Sequence, residues 1–156
     1  MPKFNKEKIK KLKKIDNILR IFFRKKDTIE SIDKDKISSV FLICFFLIGD
    51  TFMYLPVLRT IRKNFPKAKI TIACSAPVQM ILQDQNIIDE FVVVNCPWIT
   101  MTKKKLKDWA LFFKTAKEIN KNKKFDLAID FRGDWRNIFY MNFINAERKI
   151  SYNYTG

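Results

Sequence analysis

Residues 37–65, ISSVFLICFFLIGDTFMYLPVLRTIRKNF, contain the pattern that decides the fold. A continuous apolar run over residues 40–48 stops at Gly49 and Asp50, and a segment with helical periodicity follows directly. A short apolar run rich in Val, Ile and Phe is typical of a strand buried on both faces of a parallel sheet. Strand, tight turn and helix open a doubly wound α/β domain, in which ligands bind at the carboxyl ends of the strands. The stretch therefore predicts this fold class and makes Asp50 the first candidate functional residue.

Two other interpretations of the same stretch involve no catalytic chemistry. A buried strand followed by a helix that Asp50 caps would explain the pattern completely. A membrane span is disfavoured, because the run over residues 40–48 is far shorter than the roughly 20 apolar residues that a bilayer requires. Extending the run to Leu58 would place Gly49 and Asp50 near its middle. The capping interpretation stays open at this point.

The rest of the chain repeats the alternation of strand and helix. Further strands are predicted at residues 67–74, 91–94, 125–131 and 149–152, and further helices after Ser75 and at residues 104–121 and 135–146. This alternation predicts a five-stranded, mostly parallel, Rossmann-like sheet with helices on both faces.

Composition limits the kinds of chemistry that the chain can perform. Its 156 residues are enough for one domain with a real core, and its 31 Lys and Arg against 16 Asp and Glu give a net charge of +15. Such an excess favours an anionic partner: nucleic acid, an acidic membrane or a phosphorylated substrate. The absence of histidine excludes Ser-His-Asp and Cys-His catalysis. Cys44, Cys74 and Cys96 are interpreted as reduced core residues of a cytosolic protein.

Residues 1–36 are predicted to form a separate region, a basic amphipathic helix and a linker, before the α/β domain of residues 37–156. Residues 3–26 carry eleven Lys or Arg and two acidic residues, a net charge of +9. The apolar residues at helical spacing are Ile9, Leu12, Ile15, Leu19, Phe22 and Phe23. Such a helix either packs its narrow stripe on the domain or lies on an anionic membrane surface.

A second candidate site follows the fourth predicted strand. Residues 130–136, DFRGDWR, place one glycine, two carboxylates and two guanidinium groups at the carboxyl end of that strand. In an open α/β sheet this edge is shared with Gly49 and Asp50. Arginine suits bidentate binding of phosphate or carboxylate. The alternative is a turn held by Asp–Arg pairs, which contribute little at a surface.

The motifs at these positions resemble one enzyme family. They are IGD at residues 48–50 with LPVLR at 55–59, FPKAKIT at 65–71, IDEFVV at 88–93 and FDLAIDFRGDWR at 125–136. In this order they are similar to glycosyltransferase family 9, the ADP-heptose:lipopolysaccharide heptosyltransferases and their relatives. The resemblance runs from about Ile37 to the last residues. It implies the amino-terminal half of a GT-B enzyme, in which two Rossmann-like domains face a cleft.

The resemblance also implies a reaction. In that family an inverting transfer moves a heptosyl group from a nucleotide sugar, here ADP-heptose, to an anionic lipid-linked saccharide, without a metal or another cofactor. The Asp50 position is that of the family's proposed general base. The candidate substrate-binding residues are Gly49, Thr51, Asp130, Arg132, Gly133, Asp134 and Arg136. The implied setting is lipopolysaccharide core biosynthesis at the inner face of the cytoplasmic membrane, where residues 3–26 would hold the protein.

Two features depart from the family pattern. The residues before the IGD motif are Cys44, Phe45, Phe46 and Leu47, where the family usually has polar or basic side chains. The chain also stops at Gly156, where the family would continue into its donor-binding domain. We therefore expect a missing carboxyl-terminal domain or a partner chain to bind the nucleotide sugar, and the isolated chain to be inactive. A non-catalytic remnant and a basic domain that binds nucleic acid or a membrane surface are the alternatives.

Overall fold

The apolar run forms the central strand of a five-stranded parallel sheet. The computed structural model describes residues 31–99 and 106–151, without the side chains of Asn122 and Trp135. Its strands are β1 (Ser39–Cys44), β2 (Lys69–Cys74), β3 (Glu90–Val93), β4 (Phe125–Asp130) and β5 (Ala146–Ser151). They lie in the order β3-β2-β1-β4-β5, and every neighbouring pair is parallel. The predicted α/β fold class is confirmed.

Helices cover both faces of this sheet. They are α1 (Ile48–Asn64), α2 (Ala76–Leu82), α3 (Leu106–Asn122) and α4 (Trp135–Asn142), with short 3-10 turns at Lys34–Lys36 and Gln83–Gln85. Right-handed crossovers from β1 to β2 to β3 place α1 and α2 on one face, and the crossovers that pass through β4 to β5 place α3 and α4 on the other. The ring of Phe113 on α3 lies 5.2 Å from that of Phe139 on α4, between centroids.

The core is richest in aromatic rings on the α3–α4 face. Phe45, just beyond β1, lies 5.1 Å from Tyr140, and Tyr140 lies 4.5 Å from Phe112, between ring centroids. The three cysteines are free thiols, and all are buried. Burial raises the pKa of each thiol, that of Cys74 to about 12. They are core residues, as the sequence predicted.

The structure corrects several predicted boundaries. The apolar run over residues 40–48 divides: β1 ends at Cys44, and α1 already begins at Ile48. Leu47, not Asp50, occupies the N-cap position and makes no side-chain cap bond, so the capping interpretation of Asp50 is wrong. Hydrophobicity alone could not show this, because the last apolar residues of the run resemble those of the strand. The last helix ends at Asn142 because β5 starts at Ala146.

The predicted basic helix over residues 3–26 lies outside the described residues. Of the predicted linker, Lys34–Lys36 forms a 3-10 turn, which Asp33 caps by accepting a hydrogen bond from the amide of Asp35. Within residues 31–99 and 106–151, no helix combines the length and the apolar character needed to cross a membrane.

Candidate functional site

The two turns that the sequence predicted to share a site lie side by side. β1 and β4 are neighbours, and Ile43 at the end of β1 is in register with Asp130 at the end of β4. At this carboxyl edge there is a pocket of about 200 Å³, lined by Phe46, Asp50, Tyr54 and Arg132. The fold therefore brings the carboxylate of the first motif and a guanidinium group of the second to one pocket.

Aromatic contacts fix the wall of this pocket. The ring of Tyr54 stacks on that of Phe46, with centroids 4.4 Å apart and planes 12° from parallel. The Tyr54 hydroxyl donates a hydrogen bond of 3.3 Å to the carbonyl oxygen of Phe131. Tyr54 thus connects α1 to the ends of both strands. Sequence reasoning missed it, although its position four residues after Asp50 places both side chains on the same helix face.

Asp50 lies in the first turn of α1 and is partly exposed. In the described part of the chain, its carboxylate has neither a hydrogen bond nor an ion pair. The positive end of the helix dipole favours a negative charge at this position. The neighbouring Gly49 is exposed, and a Cβ atom built on it would have nothing within 4 Å. A side chain at Gly49 would therefore fit the fold, and its absence leaves the start of the helix open to a ligand.

Arg132 supplies the positive charge of the pocket. It is exposed, and its Nη1 donates a hydrogen bond of 3.3 Å to the carbonyl oxygen of Phe45. Among residues 31–99 and 106–151 it has no ion pair. Because a guanidinium group has five N–H donors, most of them stay available to an anion. The apolar segment before Ile48 therefore offers Arg132 a backbone carbonyl, that of Phe45, and not a polar side chain.

Asp130 has an internal role that sequence reasoning did not anticipate. Its carboxylate is 1% exposed and accepts hydrogen bonds from the amides of Arg132 and Gly133, at 3.2 and 2.9 Å. It also accepts bonds from Asn137 Nδ2 (2.9 Å) and Ser151 Oγ (2.7 Å). Asp130 therefore builds the turn that carries Arg132 and ties β5 to β4. Gly133 serves the same turn, because its φ of 65° lies in the left-handed region.

Asp134 and Arg136 form an Asp–Arg pair, the arrangement that the sequence analysis gave as the alternative to a ligand-binding site. Asp134 caps α4 by accepting a 3.0 Å bond from the Arg136 amide, and its carboxylate also pairs with the Arg136 guanidinium. Burial by itself would raise the pKa of Asp134, but the bonds from Arg136 outweigh it and lower the pKa. The Arg136 guanidinium also lies 4.8 Å from the centroid of the Trp98 ring, a cation–π contact.

The remaining predicted residue, Thr51, is 1% exposed. Its hydroxyl donates a 3.0 Å bond to the carbonyl oxygen of Leu47, within the first turn of α1. Asp50 and Arg132 thus line the pocket, while Thr51 and Asp130 are buried beside it. A role for any of them in substrate binding stays a prediction. No group of three or more His, Cys, Asp or Glu that could hold a metal ion occurs in the described residues.

This fold is found in glycosyltransferases. The chain is similar to the family 9 glycosyltransferase of Veillonella parvula DSM 2008, with a TM-score of 0.66 and 22% identity over 79% of this chain and 34% of that one. It is also similar to the E. coli ADP-heptose lps heptosyltransferase II and to the E. coli heptosyltransferase WaaC with ADP. Both have a TM-score of 0.57 and 14% identity over 72% of this chain, and the match covers 30% and 35% of them.

These similarities establish the fold. For the fold, they also confirm the resemblance predicted from the motifs. No family model matches the sequence, and no curated protein matches it. The chain spans about a third of the length of each similar structure.

Proposed function

We propose that residues 37–156 form the acceptor-binding domain of an inverting, metal-independent glycosyltransferase of the heptosyltransferase type. The observation that carries this proposal is the pocket shared by Asp50 and Arg132 at the carboxyl edge of the sheet. Neither side chain has an ion pair in the described part of the chain, so a carboxylate and a guanidinium group both remain available to a ligand. The similarity in fold to three glycosyltransferases supports the reaction class.

In this proposal Asp50 is the general base. The hydroxyl oxygen of the acceptor attacks the anomeric carbon of the nucleotide sugar, on the face opposite the diphosphate. As the new carbon–oxygen bond forms, the bond from the anomeric carbon to the diphosphate oxygen breaks, and its electron pair leaves with the nucleoside diphosphate. Asp50 accepts the hydroxyl proton, which requires a carboxylate oxygen within about 3 Å of the hydroxyl. Attack from the opposite face inverts the configuration of that carbon.

The acceptor that we propose is an anionic, lipid-linked saccharide of the lipopolysaccharide core. Arg132 would hold its phosphate or carboxylate group through paired N–H donors. Gly49 would allow the sugar to approach the backbone at the start of α1, and Asp130 and Gly133 would keep the Arg132 turn in place. Arg136 and Asp134 would border the acceptor as a neutral pair.

The donor that we propose is a nucleotide sugar, ADP-heptose, with no further cofactor. The similar structures are about three times as long as the matched part, which supports a second, donor-binding domain or partner chain. We place the protein at the inner face of the cytoplasmic membrane, with residues 1–36 as a separate region that contacts anionic lipid through residues 3–26. We expect the 156-residue chain alone to transfer no sugar.

Calorimetric titration of the chain with a phosphorylated or acidic core saccharide tests the acceptor site. We expect the wild type to bind it, Arg132→Gln to weaken binding about tenfold or more, and Asp50→Asn to leave it near the wild-type value. Lys124→Gln is the matched control, because it removes an exposed cation just before β4, at the other edge of the sheet. Absence of binding, or equal losses in Arg132→Gln and Lys124→Gln, would contradict the proposal.

A further inference from the structure

The outward side of α1 is apolar over its first half. From the N-cap Leu47 to residue 57, all exposed large side chains are hydrophobic: Leu47 (57% exposed), Ile48 (54%), Phe52 (58%), Met53 (79%) and Val57 (40%). We call these five residues the α1 apolar face. It begins directly beside the pocket, because Asp50 and Tyr54 belong to the same turns of the helix.

The second half of the helix presents cations on its outward side. Arg59 and Lys63 are exposed there, and Arg59 Nη2 donates a hydrogen bond of 2.9 Å to the neutral side chain of Gln85. Neither cation has an ion pair among the described residues. Arg132, beside the pocket, is likewise without one. The single acidic residue of α1 is Asp50, and it lines the pocket.

An apolar outward side is unusual for a helix that also packs inward. The inward side of α1 buries Thr51, Leu58 and Ile61, and its outward side carries the α1 apolar face, so apolar side chains lie on both sides of the helix. A helix of this kind is normally covered on both sides. The outward side of α3 differs, because its two exposed leucines, Leu106 and Leu111, lie among four exposed lysines: Lys107, Lys114, Lys117 and Lys121. We therefore expect the α1 apolar face to be covered by another molecule, whereas the lysine-rich side of α3 can remain in contact with water.

We propose that the α1 apolar face inserts into the headgroup–acyl boundary of an anionic phospholipid bilayer, with the pocket opening at the membrane surface. Interfacial helices insert one apolar face by about 5–10 Å and place cations against anionic headgroups. The α1 apolar face with Arg59, Lys63 and Arg132 provides both parts, and its charges are complementary to anionic lipid. This inference rests on the membrane location in the proposed function and adds a second lipid contact to it, but lipid binding by α1 can hold or fail without any sugar donor or acceptor.

A tryptophan reporter tests the insertion directly. In Phe52→Trp, a fluorophore replaces an exposed ring of the α1 apolar face. In Leu111→Trp, the matched control, it replaces a side chain that is 52% exposed on α3, on the other face of the sheet. With vesicles of brominated phosphatidylglycerol, we expect added quenching, relative to the wild type with its three native tryptophans, for Phe52→Trp only. We expect none with brominated phosphatidylcholine vesicles.

Polar substitutions give the second readout. The double variant Phe52→Ser/Met53→Ser should weaken partition into phosphatidylglycerol vesicles about 100-fold, roughly tenfold for each large apolar side chain. The control Leu106→Ser/Leu111→Ser should change partition less than threefold, and thermal melts should show both variants folded.

Three results would overturn the proposal. Vesicle binding without quenching of Phe52→Trp would place the lipid contact elsewhere, for example in residues 3–26. A dimer of the wild type that dissociates in Phe52→Ser/Met53→Ser would show that a second copy covers this face. Equal losses of partition in the two double variants would show that the effect does not belong to α1.

Discussion

The two edges of the sheet use their charged side chains differently. At the amino edge, Asp126 accepts four hydrogen bonds of 2.8–3.0 Å from the amides and hydroxyls of Ser38 and Ser39. Glu90 at the same edge pairs with Lys69 and Lys123. At the carboxyl edge, Asp50 and Arg132 share a pocket, and neither has an ion pair in the described part of the chain.

This difference distinguishes charged side chains that stabilise the fold from charged side chains that are available to a ligand. A carboxylate that accepts its hydrogen bonds from groups within the protein stabilises the fold and has few acceptor positions left for a ligand. A carboxylate and a guanidinium group that share a pocket without an ion pair to another residue contribute less to folding and can bind or react. The carboxyl edge contains both kinds, because Asp130 and Asp134 make internal bonds there. Four predictions test this contrast, from the largest expected effect to the smallest.

The largest effect is expected for Asp50→Asn in a transfer assay in which this chain is combined with the donor-binding domain that we propose. The rate of transfer should fall by roughly 10²–10⁴-fold, or about 3–5 kcal/mol in the barrier, because an amide cannot accept the hydroxyl proton. The melting temperature should stay within a degree or two of the wild type. Asp126→Asn, measured in the same assay, should leave the rate nearly unchanged. A variant at Asp50 that melts far lower and still transfers sugar would make Asp50 structural.

The reverse is expected at the amino edge. Asp126→Ala should lower the free energy of unfolding by about 2 kcal/mol, because it removes the acceptor of four hydrogen bonds and leaves their donors without it. Its affinity for the acidic saccharide should not change. Urea unfolding and the calorimetric titration measure the two quantities, and a loss of affinity without a loss of stability would contradict the contrast.

A smaller effect is expected from pH. Burial alone would raise the pKa of Asp126, but the bonds from Ser38 and Ser39 outweigh it, so the folded-state pKa is lowered. The same balance holds at Asp89, where Arg62 and the Ile70 amide supply the bonds. A carboxyl group with a lowered pKa stabilises the fold above its unfolded-state pKa, near 4, and loses this effect as the pH falls through the folded-state value.

Stability should therefore decrease as the pH drops below about 4. Asp126→Ala should show a shallower decrease. Urea midpoints measured between pH 2 and 6 distinguish the two curves, and an unchanged slope in Asp126→Ala would contradict the assignment.

The smallest effect on stability is expected at Gly49. Gly49→Ala should raise the free energy of unfolding by about 0.5 kcal/mol, because alanine restricts the unfolded chain and its Cβ meets no atom within 4 Å. It should nevertheless weaken saccharide binding several-fold, since the methyl group would occupy the space left for the ligand. Tighter or unchanged binding would show that Gly49 has no such role. Gly133→Ala is the contrasting variant, because its positive φ predicts a loss of stability.

The sequence predicted the sheet because its period-two and continuous apolar patterns follow directly from burial on one or two faces. It also placed Asp50 and Arg132 at one edge, because the carboxyl ends of parallel strands meet there. The sequence could not show that Asp130 is buried while Arg132 is exposed. This difference arises in the turn after β4, which depends on the contacts of Asp130 with Asn137 and Ser151. Tyr54 was missed for the same reason: its role arises from contacts with Phe46 and Phe131.

The most direct test of the pocket is an amide NMR titration of the 156-residue chain with the acidic core saccharide. We predict saturable shifts at Gly49, Asp50, Arg132 and Gly133. In the same titration, the amide signals of Ser38, Ser39 and Asp126 should not shift, and Arg132→Gln should need about tenfold or more saccharide to reach the same shifts of the pocket amides. Shifts confined to the amino edge, or pocket shifts that saturate in Arg132→Gln at the wild-type saccharide concentration, would contradict the account.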